Sequence, residues 1–141
     1  MVRINLVNPK YLADQHLIAE YAEILMLVAY IKQHPEIRNI PDKYTLKNGH
    51  MRFFKDKVLY LKKRHKQIKG EMKSRGFKPV RTLRTSGVKK SLMNNWKPNP
   101  QDLQLIKKRL LYKLKLKPEW YRYYGEHKPK KFLIELVSKA K

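Results

Sequence analysis

The groups in this sequence best suited to covalent chemistry are the amine at the head of the chain and a carboxylate on the helix that follows. An amine attacks an electrophilic carbon only when unprotonated. A lysine of ordinary pKa ~10.4 is neutral about 0.04% of the time at pH 7, whereas a chain-terminal amine of pKa ~7.7–8.0 is neutral about 10–15% of the time. Nearby cations lower that pKa further by disfavouring the charged form. Removal of Met1, expected because the next residue is valine, places this amine on Val2. Keeping Met1 would shift it by up to ~3.6 Å, enough to spoil an aligned attack. Val2, Ile4 and Leu6 alternate with Arg3 and Asn5, the pattern of an anchored extended segment instead of a frayed end. Further on, His16, Glu20 and Glu23 fall at i, i+4 and i+7 and share one helix face. Helical carboxylate metal sites draw ligands from several helices, and the other helices here offer few acids, so no metal is expected. Glu23 reads instead as an acid/base group.

Positioning these groups requires helices, and the sequence marks them. Asn8-Pro9 resembles an N-cap with a first-turn proline, and Leu12, Leu17, Tyr21, Ile24, Val28 and Ile31 recur at helical spacing until His34-Pro35, predicting helix one over about residues 9–33. Met51, Phe54, Val58, Leu61, His65, Ile68 and Met72 keep a three-four rhythm, with Arg75-Gly76-Phe77 as a glycine C-cap, predicting helix two over about 50–75. Asn99-Pro100 opens helix three, whose stripe of Leu103, Ile106, Leu110 and Leu114 ends before Pro118. Residues 35–49 and 77–98 read as loops, and Phe132 to Val137 as one short amphipathic helix. The expectation is an all-α fold, a compact single domain of three main helices with long loops and a short C-terminal helix.

At 141 residues the chain fits one domain. Its 34 Lys and Arg against 11 Asp and Glu leave a net charge of +23, a surplus that calls for a polyanion such as nucleic acid. The absence of cysteine excludes a disulfide frame, a thiol nucleophile and a thiolate zinc site, and fits a cytoplasmic protein, nucleoid-associated or in an infected host cell. The longest apolar run, Ile24 to Ile31, is far below the ~20 residues that span a bilayer, so no membrane role is expected. Lys62, Lys63, Arg64, Lys66, Lys69 and Lys73 crowd helix two, and Lys107, Lys108, Arg109, Lys113, Lys115 and Lys117 crowd helix three. Singly each reads as a solvated cation. Together, with few acids between them, they repel one another unless phosphates neutralise them, and binding should weaken with salt by about 0.9 log units per log unit for each duplex phosphate contacted. Among the aromatic residues at 120–124, Trp120 and Tyr124 are expected in the core, because a small helical protein needs large side chains to fill its centre. The residues alone leave open a noncatalytic DNA- or RNA-binding protein.

Several motifs then fall into a familiar order. Arg3-Ile4-Asn5-Leu6, Leu12-Ala13-Asp14-Gln15-His16-Leu17, Ala19-Glu20-Tyr21 and Glu23 are followed by Gly49-His50, Phe53-Phe54, Asp56-Lys57, Leu61, Lys63-Arg64 and Arg75-Gly76-Phe77, then by Arg109-Leu110, Lys113, Pro118 and Trp120-Tyr121-Arg122-Tyr123-Tyr124-Gly125. This set resembles the pyrimidine-dimer DNA glycosylase/AP lyase family, typified by endonuclease V of T-even phages. The resemblance implies a glycosylase-like domain over 1–125, with 126–141 as a basic C-terminal extension. It implies that the Val2 α-amine, freed by Met1 removal, attacks C1′ of a damaged nucleotide and forms an imine, and that Glu23 stabilises the cationic imine and assists removal of a C2′ proton, leading to β-elimination. Arg3, Gln15, His16, Arg109, Lys113, Lys117, Tyr121 and Arg122 match positions in or near the family's DNA-binding surface, and family members flip a base opposite the lesion. The implied partner is lesion-bearing double-stranded DNA, most simply with a cyclobutane pyrimidine dimer, with no cofactor and no obligate protein partner. Val2 replaces a threonine of the type member, and Ala22 and Met26 replace arginines that grip DNA near the lesion, which opens the alternative of a lyase or glycosylase for another lesion.

Overall fold

The computed structural model describes residues 2–36 and 38–141, and the expected processing at Met1 lies outside the described residues. Among these, the helices are α1 (Asp14–Gln33), α2 (His50–Phe53), α3 (Val58–Ser74), α4 (Pro100–Leu116) and α5 (Lys130–Ser138), with one small hairpin of β1 (Arg122–Tyr123) and β2 (Glu126–His127). The all-α expectation holds. α1 packs on α3, and α4 on α5.

Helix one starts later than its sequence signal. Asn8 and Pro9 do open a helical turn, with the Asn8 side chain accepting the Lys10 N–H, but it is a separate 3-10 turn over Pro9–Tyr11. Leu12 and Ala13 then run extended and are fully buried, and α1 begins at Asp14. The cause is tertiary: the Asp14 carboxylate accepts the backbone N–H groups of Tyr124 (3.1 Å) and Gly125 (2.7 Å) and pairs with Arg75 at 2.9 Å. A continuous helix from Pro9 would turn Leu12 and Ala13 out of register with the core.

Helix two is likewise broken. Between α2 and α3 the chain makes tight turns through Phe54 to Lys57, where Lys57 leaves helical geometry at φ −127°, ψ 39°. The bend lets the consecutive Phe53 and Phe54 both enter an aromatic cluster with Tyr44 and Trp96, which one straight helix would not allow because neighbours project about 100° apart. Lys57 Nζ donates to the Phe53 carbonyl at 2.8 Å, satisfying an acceptor that the break frees. The far end of α3 follows its signal: Gly76 takes φ +88°, and the Phe77 N–H returns to the Met72 carbonyl at 2.9 Å. α4 begins with a reciprocal capping box between Asn99 and Asp102.

The hairpin carries no signal in the preceding pattern. Its two-residue turn, Tyr124-Gly125, has positive φ at both positions (55° and 78°), as the native twist of a hairpin favours. Trp120 and Tyr124, expected in the core, stand 56% and 50% exposed. Phe53, Phe54, Tyr44 and the aliphatic faces of α1, α3 and α4 already fill the centre.

The first residues are anchored as their alternation predicts, with Val2, Ile4 and Leu6 buried, although Asn5 is buried too. Among the described residues no strand pairs with this segment; helix side chains take its N–H groups instead. The Arg3 N–H goes to Glu23 Oε2 (3.1 Å), the Ile4 N–H to His50 Nε2 (3.0 Å) and the Asn5 N–H to Glu20 Oε1 (3.1 Å). Tyr44 Oη donates to the Ile4 carbonyl at 2.8 Å, and Arg64 Nη1 donates to the Leu6 and Val7 carbonyls. Arg64 thus leaves the solvated basic face expected of it. It is 3% exposed and grips Glu20 through both Nε (2.7 Å) and Nη2 (3.1 Å).

Two outcomes follow from this anchoring. Arg64→Ala strands the Glu20 carboxylate and two carbonyls, so urea unfolding should show a loss of about 3–5 kcal/mol. His50 must accept from Ile4 through Nε2, so its proton sits on Nδ1, which donates to the Thr45 carbonyl at 2.8 Å; burial first, then Arg3 and Arg109, hold its pKa down to about 4. The folded pKa lies below the unfolded value, so protons favour the unfolded chain and stability falls as pH drops from about 6.5 to about 4. The slope per histidine is at most about 1.4 kcal/mol per pH unit. His50→Gln, which keeps an acceptor that does not titrate, should flatten that slope in denaturation curves taken across this range.

Candidate active site

Four elements meet around a cavity of about 190 Å³ lined by Arg3, Asn5, His16, Ala19, Glu23, Arg109, Lys113 and Tyr121. The N-terminal segment supplies Arg3 and Asn5. α1 supplies His16, Ala19 and Glu23, which the helical repeat stacks on one side. α4 supplies Arg109 and Lys113 one turn apart, and the residue before the hairpin supplies Tyr121.

Glu23 is the acid of this cavity, half-buried and in no ion pair among the described residues. Burial raises its pKa, against the opposing hydrogen bond from the Arg3 N–H. That N–H lies one residue from the Val2 nitrogen, so the nitrogen sits within about one residue length, ~3.6 Å, of the group Glu23 holds. Glu23 and the first described residues therefore lie close together. Glu20, the other acid of the helix face, is fully committed: Arg64 and the Asn5 N–H occupy its oxygens. This separates Glu20 chemically from His16 and Glu23.

Arg3, Arg109 and Lys113 surround Glu23 without an ion pair among the described residues, which leaves three cations facing one carboxylate. The Arg109 pKa is lowered, chiefly by burial and then by Arg3. His16 is held neutral, its pKa lowered to about 4 by burial and then by Arg109 and Lys113. Its ring meets Tyr121 at 4.8 Å between centroids. Three buried side-chain atoms lack a hydrogen-bond partner among the described residues, Arg3 Nε, Asn5 Oδ1 and His16 Nδ1, and all three belong to residues lining this cavity. Unpartnered buried polar groups are rare elsewhere in folded chains and cost about 1–3 kcal/mol each, so their concentration here marks a site built to receive a polar ligand.

The other candidates named from sequence divide. Gln15 acts within the fold: its Nε2 donates to the Trp120 carbonyl at 2.6 Å and its Oε1 accepts the Arg122 N–H at 3.0 Å, so one amide fixes the backbone on either side of Tyr121. Lys117 joins Lys113, Leu116, Trp120 and Tyr121 around a second cavity of about 290 Å³ that shares Lys113 and Tyr121 with the first. Arg122 is exposed beside it, its Nε on His127. The exposed Trp120 ring meets Tyr121 edge-on at 5.1 Å between centroids, which suits a stacking role better than a core one. Ala22 and Met26 present no cation, and Met26 is 60% exposed.

The lysines of α3 do not join this surface. Arg64 faces Glu20 of α1, whereas Lys62, Lys63, Lys66, Lys69 and Lys73 line a groove of about 660 Å³ with Leu59, Leu83 and His65, whose Nε2 meets the Tyr21 carbonyl. That groove lies on the flank of the α1–α3 pair covered by residues 81–84, where Arg81 meets the Tyr21 hydroxyl, while the N-terminal segment occupies the other flank. Sequence reasoning also missed Asn5 and His50 as site-building residues. A buried asparagine and a histidine acceptor are visible only once their partners are placed.

A family model described as pyrimidine dimer DNA glycosylase matches residues 1–85, a span that holds the anchored N-terminus, Glu23, His50 and Arg64. The chain belongs to the pyrimidine dimer DNA glycosylase family, enzymes whose substrate is DNA.

Proposed function

We propose that the protein is a bifunctional glycosylase and abasic-site lyase for double-stranded DNA, using the Val2 α-amine freed by loss of Met1, with cyclobutane pyrimidine dimers as its lesion. The observation that carries this reading is the hydrogen bond from the Arg3 N–H to a half-buried Glu23, which fixes a carboxylate within one residue of the Val2 nitrogen. Arg3, Arg109 and Lys113 lie around that point, where they disfavour a protonated amine and offer donors to the phosphates flanking a flipped nucleotide.

In this chemistry the amine nitrogen bonds to C1′ as the C1′–base bond breaks, and loss of the amine proton and opening of the sugar ring give a cationic imine. The Glu23 carboxylate, beside the new cation, stabilises it. It then accepts the C2′ proton; the electron pair moves toward the imine, the C3′–O3′ bond breaks, and the strand is cut. No step needs a metal ion or a cofactor. Neutral His16 fits a hydrogen-bonding role in this pocket better than that of a resident cation. The duplex contacts fall to Arg3, His16, Arg109, Lys113, Lys117, Tyr121 and Arg122, with Gln15 holding Tyr121 and Arg122 in place.

A second reading concerns the lesion alone. The uncharged, exposed Met26 and its neighbour Ala22 leave the outer face of α1 without position-specific phosphate donors, which favours a lesion that needs less grip on the distorted duplex. A panel of duplexes, each with one defined lesion, separates the two readings by which base is released.

Borohydride reduction during turnover should trap a covalent adduct that maps to Val2 by mass spectrometry. An adduct on a lysine, or none with any lesion, rejects the mechanism, and the latter outcome with intact salt-sensitive binding would identify a noncatalytic DNA-binding protein. A homogeneous Met1-retaining sample should lose lyase activity. Glu23→Gln should lower strand cleavage by about 10²–10⁴-fold while DNA affinity changes only a few-fold, since shape is kept and the acid/base group removed.

A further inference from the structure

Asn5 is the feature of the cavity that the proposed chemistry does not yet use. The residue is 3% exposed and lines the cavity beside Glu23, yet its Oδ1 has no hydrogen-bond partner among the described residues. A fold gains nothing from a buried amide in that state, which costs about as much as a hydrogen bond contributes. The backbone around it is also held in an unfavourable shape. The Val7 N–H bonds to the Asn5 carbonyl at 2.6 Å, closing a three-residue turn around Leu6, whose φ is +60°. Such γ-turns with positive φ are rare and strained for a residue with a side chain, and strain of this kind persists only where the surroundings over-determine it. Here Glu20 fixes the Asn5 N–H and Arg64 fixes the Leu6 and Val7 carbonyls. The anchoring machinery of the N-terminus thus holds a neutral carboxamide, its acceptor unused, against the cavity.

The chemistry of an acceptor limits what it can meet. Arg3, Arg109 and Lys113 already suit phosphate, and a carboxamide oxygen would repel it. What Oδ1 lacks is a neutral donor. We propose that Asn5 is a substrate-contacting residue whose Oδ1 accepts a hydrogen bond from the hydroxyl that ring opening creates at C4′ of the deoxyribose. This deepens the reading given under Proposed function and rests on it for the sugar's presence in the cavity. On opening, the C1′–O4′ bond breaks, the nitrogen lone pair forms the C=N bond, and O4′ becomes the hydroxyl by taking from Glu23 the proton that the amine gave up on bonding to C1′, which returns Glu23 to the carboxylate. The closed ring has no such donor, so Asn5 favours the open imine over the closed adduct.

Binding alone can test this, apart from any lyase step. Two otherwise identical duplexes are compared by fluorescence anisotropy: one carries a borohydride-reduced abasic site, an open chain with a C4′ hydroxyl, and the other a tetrahydrofuran abasic analogue, a closed ring without one. The mature protein should bind the open form about threefold to tenfold more tightly, the range of a single neutral hydrogen bond. In Asn5→Ala and Asn5→Leu that ratio should fall to about one, with affinity for undamaged duplex kept and the melting temperature equal or raised, since an unsatisfied amide is gone. A wild-type ratio of one, or a ratio that survives both substitutions, overturns the proposal. So does a lowered melting temperature in both variants with parallel loss of affinity for every duplex, because Asn5 would then be a fold residue. Absence of a trapped Val2 adduct in wild type would instead reject the lyase reading and leave this ratio to be judged on its own.

Discussion

The buried pair of Glu20 and Arg64 is the constraint on which the N-terminal segment and the cavity beside it depend. Two charges taken out of water cost several kcal/mol each, and their mutual attraction offsets this only when their other hydrogen-bonding positions are also filled. Here they are filled by the N-terminal segment itself: Glu20 accepts the Asn5 N–H, and Arg64 donates to the carbonyls of Leu6 and Val7. The pair therefore serves as a template for a segment that pairs with no strand among the described residues, and α1 and α3 are locked together by the same atoms. A hydrophobic replacement of both charges could match the packing, but it would release the peptide groups that bring Val2 toward Glu23.

The cavity built on that template has an uneven distribution of charge. One half-buried carboxylate faces three cations that form no ion pair among the described residues, and burial raises the pKa of Glu23 and lowers those of His16 and Arg109. A site poised in this way favours the neutral form of a basic group more than open solvent does. It also becomes less costly once a phosphodiester enters, because the added negative charges answer the cations that the protein leaves unanswered.

How much of this was legible in the residues depends on whether the cause was local. The α4 capping box, the glycine stop after α3 and the amphipathic α5 rest on neighbours in sequence, and the structure has each where its signal lies. The kink at Leu12-Ala13 and the break before Val58 have distant causes: Asp14 waits for amides from residues 124 and 125, and Phe53 and Phe54 turn toward Tyr44 and Trp96. Periodicity runs straight through both. The same holds at the site. Glu23 and the cations of α4 could be named from type and spacing, whereas the roles of Gln15, His50 and Asn5 lie in which backbone groups they meet, and the misplaced Trp120 and Tyr124 show that a demand for large core residues does not say which ones answer it.

The carbonyl of Lys141 accepts the N–H of Asn8 at 2.9 Å, and the Lys107 ammonium holds the nearby carbonyls of Ser138 and Ala140. A hydrogen bond thus joins the C-terminal segment to the chain just past the anchored N-terminal segment. A pulling force applied between them would load that bond together with the side-chain anchors of the N-terminal segment. A bulky fusion at the C-terminal side would press on the same place. In mechanical terms, the segment after the hairpin is a brace for the anchored N-terminal segment.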